Sequence, residues 1–186
     1  MRRAEMQKLF TTEYQVDPKT GKDKLVQRYT GSWYTLDKKT RRTCGWLCLA
    51  GWVLAVAAFV TAGVLPTWAG LCNYVVPWYI LCMLPLFYLL LGSVKLLRLK
   101  EQFTEIDKSE SLGYIKTSGI GLAVLGAVWS ITTIIFLLVS NKTMMFANEL
   151  IFLGCAMVNT AVGGGAYAAG RKAGEEIRNS ECGIRN

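Results

Sequence analysis

Few side chains in this sequence could do chemistry, and most of them sit in an apolar setting. Beside or within long uncharged stretches lie Glu149, Asn159 with Thr160, and Thr132 with Thr133. Ionisable and amide groups are costly in hydrocarbon, so each marks a candidate site. Glu149 has two readings. It either shares the capping of its own helix start with Asn148, favoured by the dipole, or serves as a coupling carboxylate for protons or cations. Asn159 needs a partner in a bundle interior or on a neighbouring subunit, as structural glue or as a contact to a polar ligand. Cys44 and Cys48 share a Cys-x-x-x-Cys spacing, a weak metal signal without histidine or a second pair.

The missing chemistry is equally informative. The sequence has no histidine, so imidazole bases, Ser-His-Asp triads and His-ligated metals or haem are excluded. It has no phosphate-binding Gly-x-x-x-x-Gly-Lys-Ser/Thr motif, and Gly163–Gly165 lacks the spacing and strand–helix context of a nucleotide fingerprint. No catalytic residue, cofactor or metal ligand is assigned, and the chain reads as non-enzymatic.

The elements that position these residues follow from charge and hydropathy. The chain has 186 residues, 52% hydrophobic and 18% charged, with a net charge of +8. No Asp, Glu, Lys or Arg occurs from Thr43 to Val94, from Thr117 to Asn141 or from Leu150 to Gly170. Uncharged runs of this length are membrane spans. The first is too long for one crossing of a core about 30 Å thick, so it folds back around Pro66, Gly70 and Asn73. The expectation is an all-α integral membrane protein, a four-helix transmembrane bundle over residues 44–170. Its spans are 44–65, 75–94, 117–140 and 148–170, with a loop at 95–116 and tails at 1–43 and 171–186.

Orientation follows from basic residues in the connections. The N-terminal tail holds 11 Lys and Arg, the 95–116 loop 5 and the C-terminal tail 4, whereas the two other connections hold only Lys142. Both termini and the middle loop are therefore expected on the cytoplasmic side of a plasma or inner membrane. The first apolar run starts only after about forty polar residues, so no cleavable signal is expected. Only Cys72 falls in an external connection, which leaves no disulfide framework there.

In the N-terminal tail, Leu9–Val16 and Lys24–Thr30 are strand-like runs around a Pro/Gly turn and read as a β-hairpin. A lone hairpin is marginal in water, so it needs the middle loop, another protein or the membrane surface. Trp33 with Lys38, Lys39, Arg41 and Arg42 forms a lipid-surface candidate for an anionic inner leaflet. Nucleic acid is not an expected partner, since the tail mixes acids with its bases and carries no binding module. Leu96, Leu99, Phe103 and Ile106 recur at helical spacing and predict that the second span continues into the middle loop. Leu36-Asp37-Lys38 and Ile106-Asp107-Lys108 lie seventy residues apart, as do Gly51 and Gly121; this hints at two helical hairpins in parallel orientation. Pro85 should kink the second span and free a carbonyl near Leu81.

The last span is the most distinctive. Gly165 with Ala169 and Ala166 with Gly170 are small-xxx-small pairs that permit close helix approach, and Gly119 with Ala123 makes a similar stripe in the third. The function expected from these features is that of an interaction or accessory subunit of the membrane, homo-oligomeric or joined to another membrane protein. The alternative is a small-solute transporter or pore built on the bundle, using Pro85, Asn159 and Glu149.

Overall fold

A computed structural model of the chain describes residues 10–16, 23–139 and 146–183. The protein is mostly helical, and four helices are long and apolar enough to cross a membrane: Lys38–Val64, Val76–Arg98, Glu105–Val139 and Phe146–Ile177. Strands Phe10–Val16 (β1) and Asp23–Tyr29 (β2) pair antiparallel, with Phe10 opposite Tyr29; residues 17–22 between them lie outside the described residues. Tyr29 ties this pair to the rest of the chain. Its ring meets Trp33 edge-on at 5.5 Å, and its hydroxyl accepts the Glu105 N–H at 3.1 Å.

The first of the four long helices, α1 (Lys38–Val64), starts six residues before the expected span start at residue 44 because Asp37 caps it. The Asp37 carboxylate accepts the N–H groups of Lys39 at 3.1 Å and Thr40 at 3.4 Å, supplying partners the first helical turn lacks. The helix stops at Leu65, which precedes Pro66 and is extended as that position favours. A single 3₁₀ turn, Ala69–Leu71, leads into the second span.

The second span is two helices, α2 (Val76–Leu81) and α3 (Met83–Arg98). Pro77 sits in the first turn of α2, where its missing N–H costs nothing. Pro85 cannot donate to the Leu81 carbonyl, and the helix is interrupted one residue later, at Cys82. The Cys82 N–H is shared between Trp78 and Tyr79 carbonyls, both at 3.2 Å.

Past Arg98 the chain departs from the helical continuation the spacing predicts. Phe103 lies in a strand, β4 (Gln102–Thr104), which pairs antiparallel with β3 (Trp33–Thr35) and sets Tyr34 opposite Phe103. The strand partner satisfies the backbone, and Phe103 still reaches the core, stacked against Tyr34 at 6.3 Å. Burial of an apolar side chain here selects strand as readily as helix. A short helix, α4 (Glu105–Lys108), opens with a capping box in which Thr104 and Asp107 exchange bonds. A π-helical turn, Ser109–Gly113, joins it to α5 (Tyr114–Val139).

The last helix, α6 (Phe146–Gly183), continues beyond the uncharged run. Arg171 and Glu175 pair one turn apart at 2.8 Å, and Ala173 and Ile177 extend its buried stripe. The four spans close a ring: α1 packs on α3 and α6, and α5 packs on α3 and α6. The strands that precede the first and third spans pair with each other. Gly51 approaches Val162 of the fourth span, and Gly121 approaches Pro85 of the second.

Candidate functional site

The α5–α6 seam is the closest helix contact in the fold. One buried stripe on α6 runs Phe152, Ala156, Asn159, Gly163, Ala166, Gly170, Ala173 and Ile177, and one on α5 runs Ile115, Gly119, Leu122, Gly126, Trp129 and Thr133, with Cys155, Ser118 and Ser130 buried beside them. Both alternate steps of four and three, the 3.5-residue repeat that keeps one stripe facing a partner helix. At the centre the backbones touch. A Cβ on Gly119 would lie 2.7 Å from the Tyr167 nitrogen, one on Gly126 2.9 Å from the Thr160 nitrogen, and one on Gly163 2.8 Å from the Gly119 carbonyl oxygen.

This register distributes the expected packing residues unevenly. Gly119 and Ala123 lie in the seam. Ala166 and Gly170 are buried, and Ala169 is half-buried. Gly165 is exposed, and a Cβ there, like one on Gly164, meets nothing within 4 Å. Gly163 and Gly126 make the tight contacts instead. The step-of-seven from Ala156 through Gly163 to Gly170 carries that phase in the sequence, whereas a search for small-xxx-small pairs does not distinguish the three consecutive glycines.

Gly165 faces another feature, a groove of about 350 Å³ between α1 and α6. Leu47, Cys48, Gly51 and Leu54 line it from α1, and Val162 and Gly165 from α6. It is almost entirely apolar and lies along the spanning segments of both helices.

The polar residues within the long apolar helices are largely held by their own helices. Thr132 and Thr133 hydroxyls each donate to the Trp129 carbonyl at 2.9 Å. Asn159 is fully buried, and its Nδ2 donates to the Cys155 carbonyl at 2.9 Å. Its Oδ1 has no partner among the described residues, and neither has the buried Nε1 of Trp129. Trp129 also belongs to an aromatic cluster. Its ring meets Tyr79 and Phe152 at 5.2 Å each, and Tyr79 stacks on Phe59 at 4.3 Å.

Glu149 reaches from the start of α6 to the α1–α2 connection. It is 3% exposed, and its Oε1 accepts the N–H of Trp68 at 2.5 Å and of Ala69 at 3.3 Å. From the first turn of α6 it therefore caps the 3₁₀ turn of the α1–α2 connection. Asn148 adds a bond from Nδ2 to the Pro66 carbonyl at 3.2 Å. Together they tie the start of α6 to the 66–69 segment, which walls a largely apolar cavity of about 360 Å³. Gly63, Leu71, Tyr79 and Phe152 are among the other residues that line it. Asn141-Lys142-Thr143 is formally a glycosylation sequon and lies outside the described residues.

At the opposite end, Trp33 is 58% exposed, and Lys38, Lys39 and Arg42 are exposed. Arg41 is not part of that surface. It is 8% exposed, and its Nη1 donates to the Leu99 carbonyl at the end of α3. A guanidinium at a helix C-terminus meets otherwise unsatisfied carbonyls and the negative end of the dipole. One-sided burial of the first turn of α1 against α3 separates Arg41 from its neighbours, a phase that charge counting does not see. Among the described residues no three Cys, Asp or Glu side chains come together as metal ligands. No known protein-family model, curated protein or solved structure matches the chain.

Proposed function

We propose that this chain is a non-enzymatic subunit of the cell membrane that docks a transmembrane helix, from a second copy or from another membrane protein, in the α1–α6 groove. Its tails and the 95–116 segment face the cytoplasm, in keeping with the distribution of Lys and Arg. The observation that carries the docking role is the division of labour among three consecutive glycines. Gly163 is consumed by the internal seam, Gly164 is open, and Gly165 leaves backbone open in the wall of the apolar α1–α6 groove. In lipid, helices associate where small residues admit close backbone approach, and glycine elsewhere in a helix costs about 1 kcal/mol relative to alanine. The test is the mass of the protein extracted in mild detergent. A Cβ on Gly165 meets no atom within 4 Å, and the rest of a leucine side chain would occupy the groove, so with Gly165→Leu the larger assembly should be lost while helicity is kept. An unchanged mass would count against the docking role.

Passage of a small solute is the second reading. In its favour stand the unpartnered Oδ1 of Asn159 and Nε1 of Trp129, the latter on a ring packed against two residues that line the 360 Å³ cavity. Vesicles containing the protein would show a solute flux that Asn159→Ala and Glu149→Gln reduce. Absence of flux for neutral, anionic and cationic solutes would remove this reading.

A further inference from the structure

A second cleft, of about 450 Å³, opens where the second span ends, bounded by the end of α3, by β4 and by Trp33. Its charged lining comprises Lys95, Arg98, Lys100, Asp107 and Glu110. Both acids are engaged: Glu110 pairs with Lys95 at 2.6 Å, and Asp107 accepts the Thr104 N–H at 3.2 Å within the capping box. Arg98 and Lys100 are exposed and have no hydrogen-bond or ion-pair partner among the described residues. Behind the cleft wall sits a third cation. Arg41 is 8% exposed, holds the carbonyl of Leu99 between those two residues, and leaves its Nε unpartnered, with no carboxylate beside it among the described residues. A buried guanidinium without an anion is costly, and an anion brought close by offsets that cost.

We infer that this cleft binds the phosphate of an anionic phospholipid headgroup. Arg98 and Lys100 supply the charge-assisted donors, the Arg98 fork being suited to two phosphate oxygens at once. Trp33 lies beside the cleft mouth at the depth where indoles favour the interface. Arg41 fixes the wall from behind and adds field without touching the lipid. The inference rests on reading residues 76–98 as a span, because that places Arg98 at the headgroup layer; it does not depend on which leaflet this is. A basic residue near an anionic surface strengthens binding by roughly fivefold, so two give about 30-fold.

The experiment uses the full chain in mild detergent with short-chain phosphatidylglycerol, the matching phosphatidylcholine, or soluble glycerol phosphate. Bound lipid is counted by native mass spectrometry, and the unfolding midpoint is followed in parallel. Phosphatidylglycerol should bind about 30-fold tighter than phosphatidylcholine, and glycerol phosphate should not compete. Arg98→Gln with Lys100→Gln should bring the two lipids near parity, whereas Lys38→Gln with Lys39→Gln should retain most of the preference. Equal binding of both lipids by the unsubstituted chain would overturn the inference. So would an equal loss in the two double variants, which would mean diffuse attraction, or binding by glycerol phosphate as tight as by the lipid, which would mean a soluble ligand. Sidedness, tested separately by thiol labelling, can fail without affecting this result.

Discussion

Replacing Gly163 by alanine tests the packing geometry on which the docking role depends. The new methyl would lie 2.8 Å from the Gly119 carbonyl oxygen and 2.9 Å from the Ala123 Cα. Both are backbone atoms, so neither can rotate aside. Relief requires α5 and α6 to part by roughly 0.5–1 Å at the centre of their seam, an overpacking change that costs about 1–3 kcal/mol. Alanine in place of glycine also returns up to about 1 kcal/mol of helix propensity. Gly165→Ala receives the same propensity gain and meets no atom within 4 Å. The difference between the two variants therefore isolates the steric cost, about 1–3 kcal/mol, with Gly163→Ala the less stable. Unfolding by a denaturing detergent, followed by helical circular dichroism, measures it. Adding Gly119→Ala to Gly163→Ala should cost less than the sum, because the seam has already opened. Equal stabilities for Gly163→Ala and Gly165→Ala would refute the close approach of α5 and α6.

The remaining expectations concern single contacts. Glu149→Ala leaves the buried Ala69 N–H without an acceptor and removes the Trp68 bond. The cost should be about 2–3 kcal/mol in thermal unfolding, with faster proteolysis of the 65–75 connection. Asn159→Ala removes an Oδ1 that has no partner and a bond made only within its own helix. It should change stability by less than about 1 kcal/mol in either direction, and a loss above about 2 kcal/mol would mean that Asn159 bridges helices. Half-buried Cys72 should react with a membrane-impermeant maleimide added to intact cells, whereas a cysteine placed at Lys39 or Lys172 should react only after permeabilisation. Reversed labelling would overturn the cytoplasmic placement of the tails.

Charge and hydropathy sufficed to locate four helices of spanning length, because a 52-residue uncharged run has no other folded solution in a bilayer. They placed helix ends poorly, since caps and pairs outside the apolar core decide those. Asp37 starts α1 at Lys38, and the Arg171–Glu175 pair carries α6 past Gly170. Small-residue composition identified α6 as a packing helix but missed the phase, which only the facing stripe of α5 fixes: Gly163 packs inward and Gly165 outward. Phe103 was legible as a core residue, yet its strand depended on Tyr34, about seventy residues away. Glu149 was legible as unusual, but its role required the folded position of the Trp68 and Ala69 amides. Arg41 shows the same limit. Counted among surface bases, it is buried because its place in the first turn of α1 directs it at the end of α3.

The docking role is tested most directly by photo-cross-linking in the native membrane. A photoreactive residue at Ala50, within the α1–α6 groove, is compared with one at Val124, which is exposed on α5 away from it. The Ala50 probe should give one discrete protein adduct, twice the chain's mass for a second copy or a fixed larger mass for another subunit. Gly165→Leu should abolish that adduct, and the Val124 probe should yield lipid adducts alone. Lipid adducts alone from both positions, or a protein adduct that survives Gly165→Leu, would contradict the account.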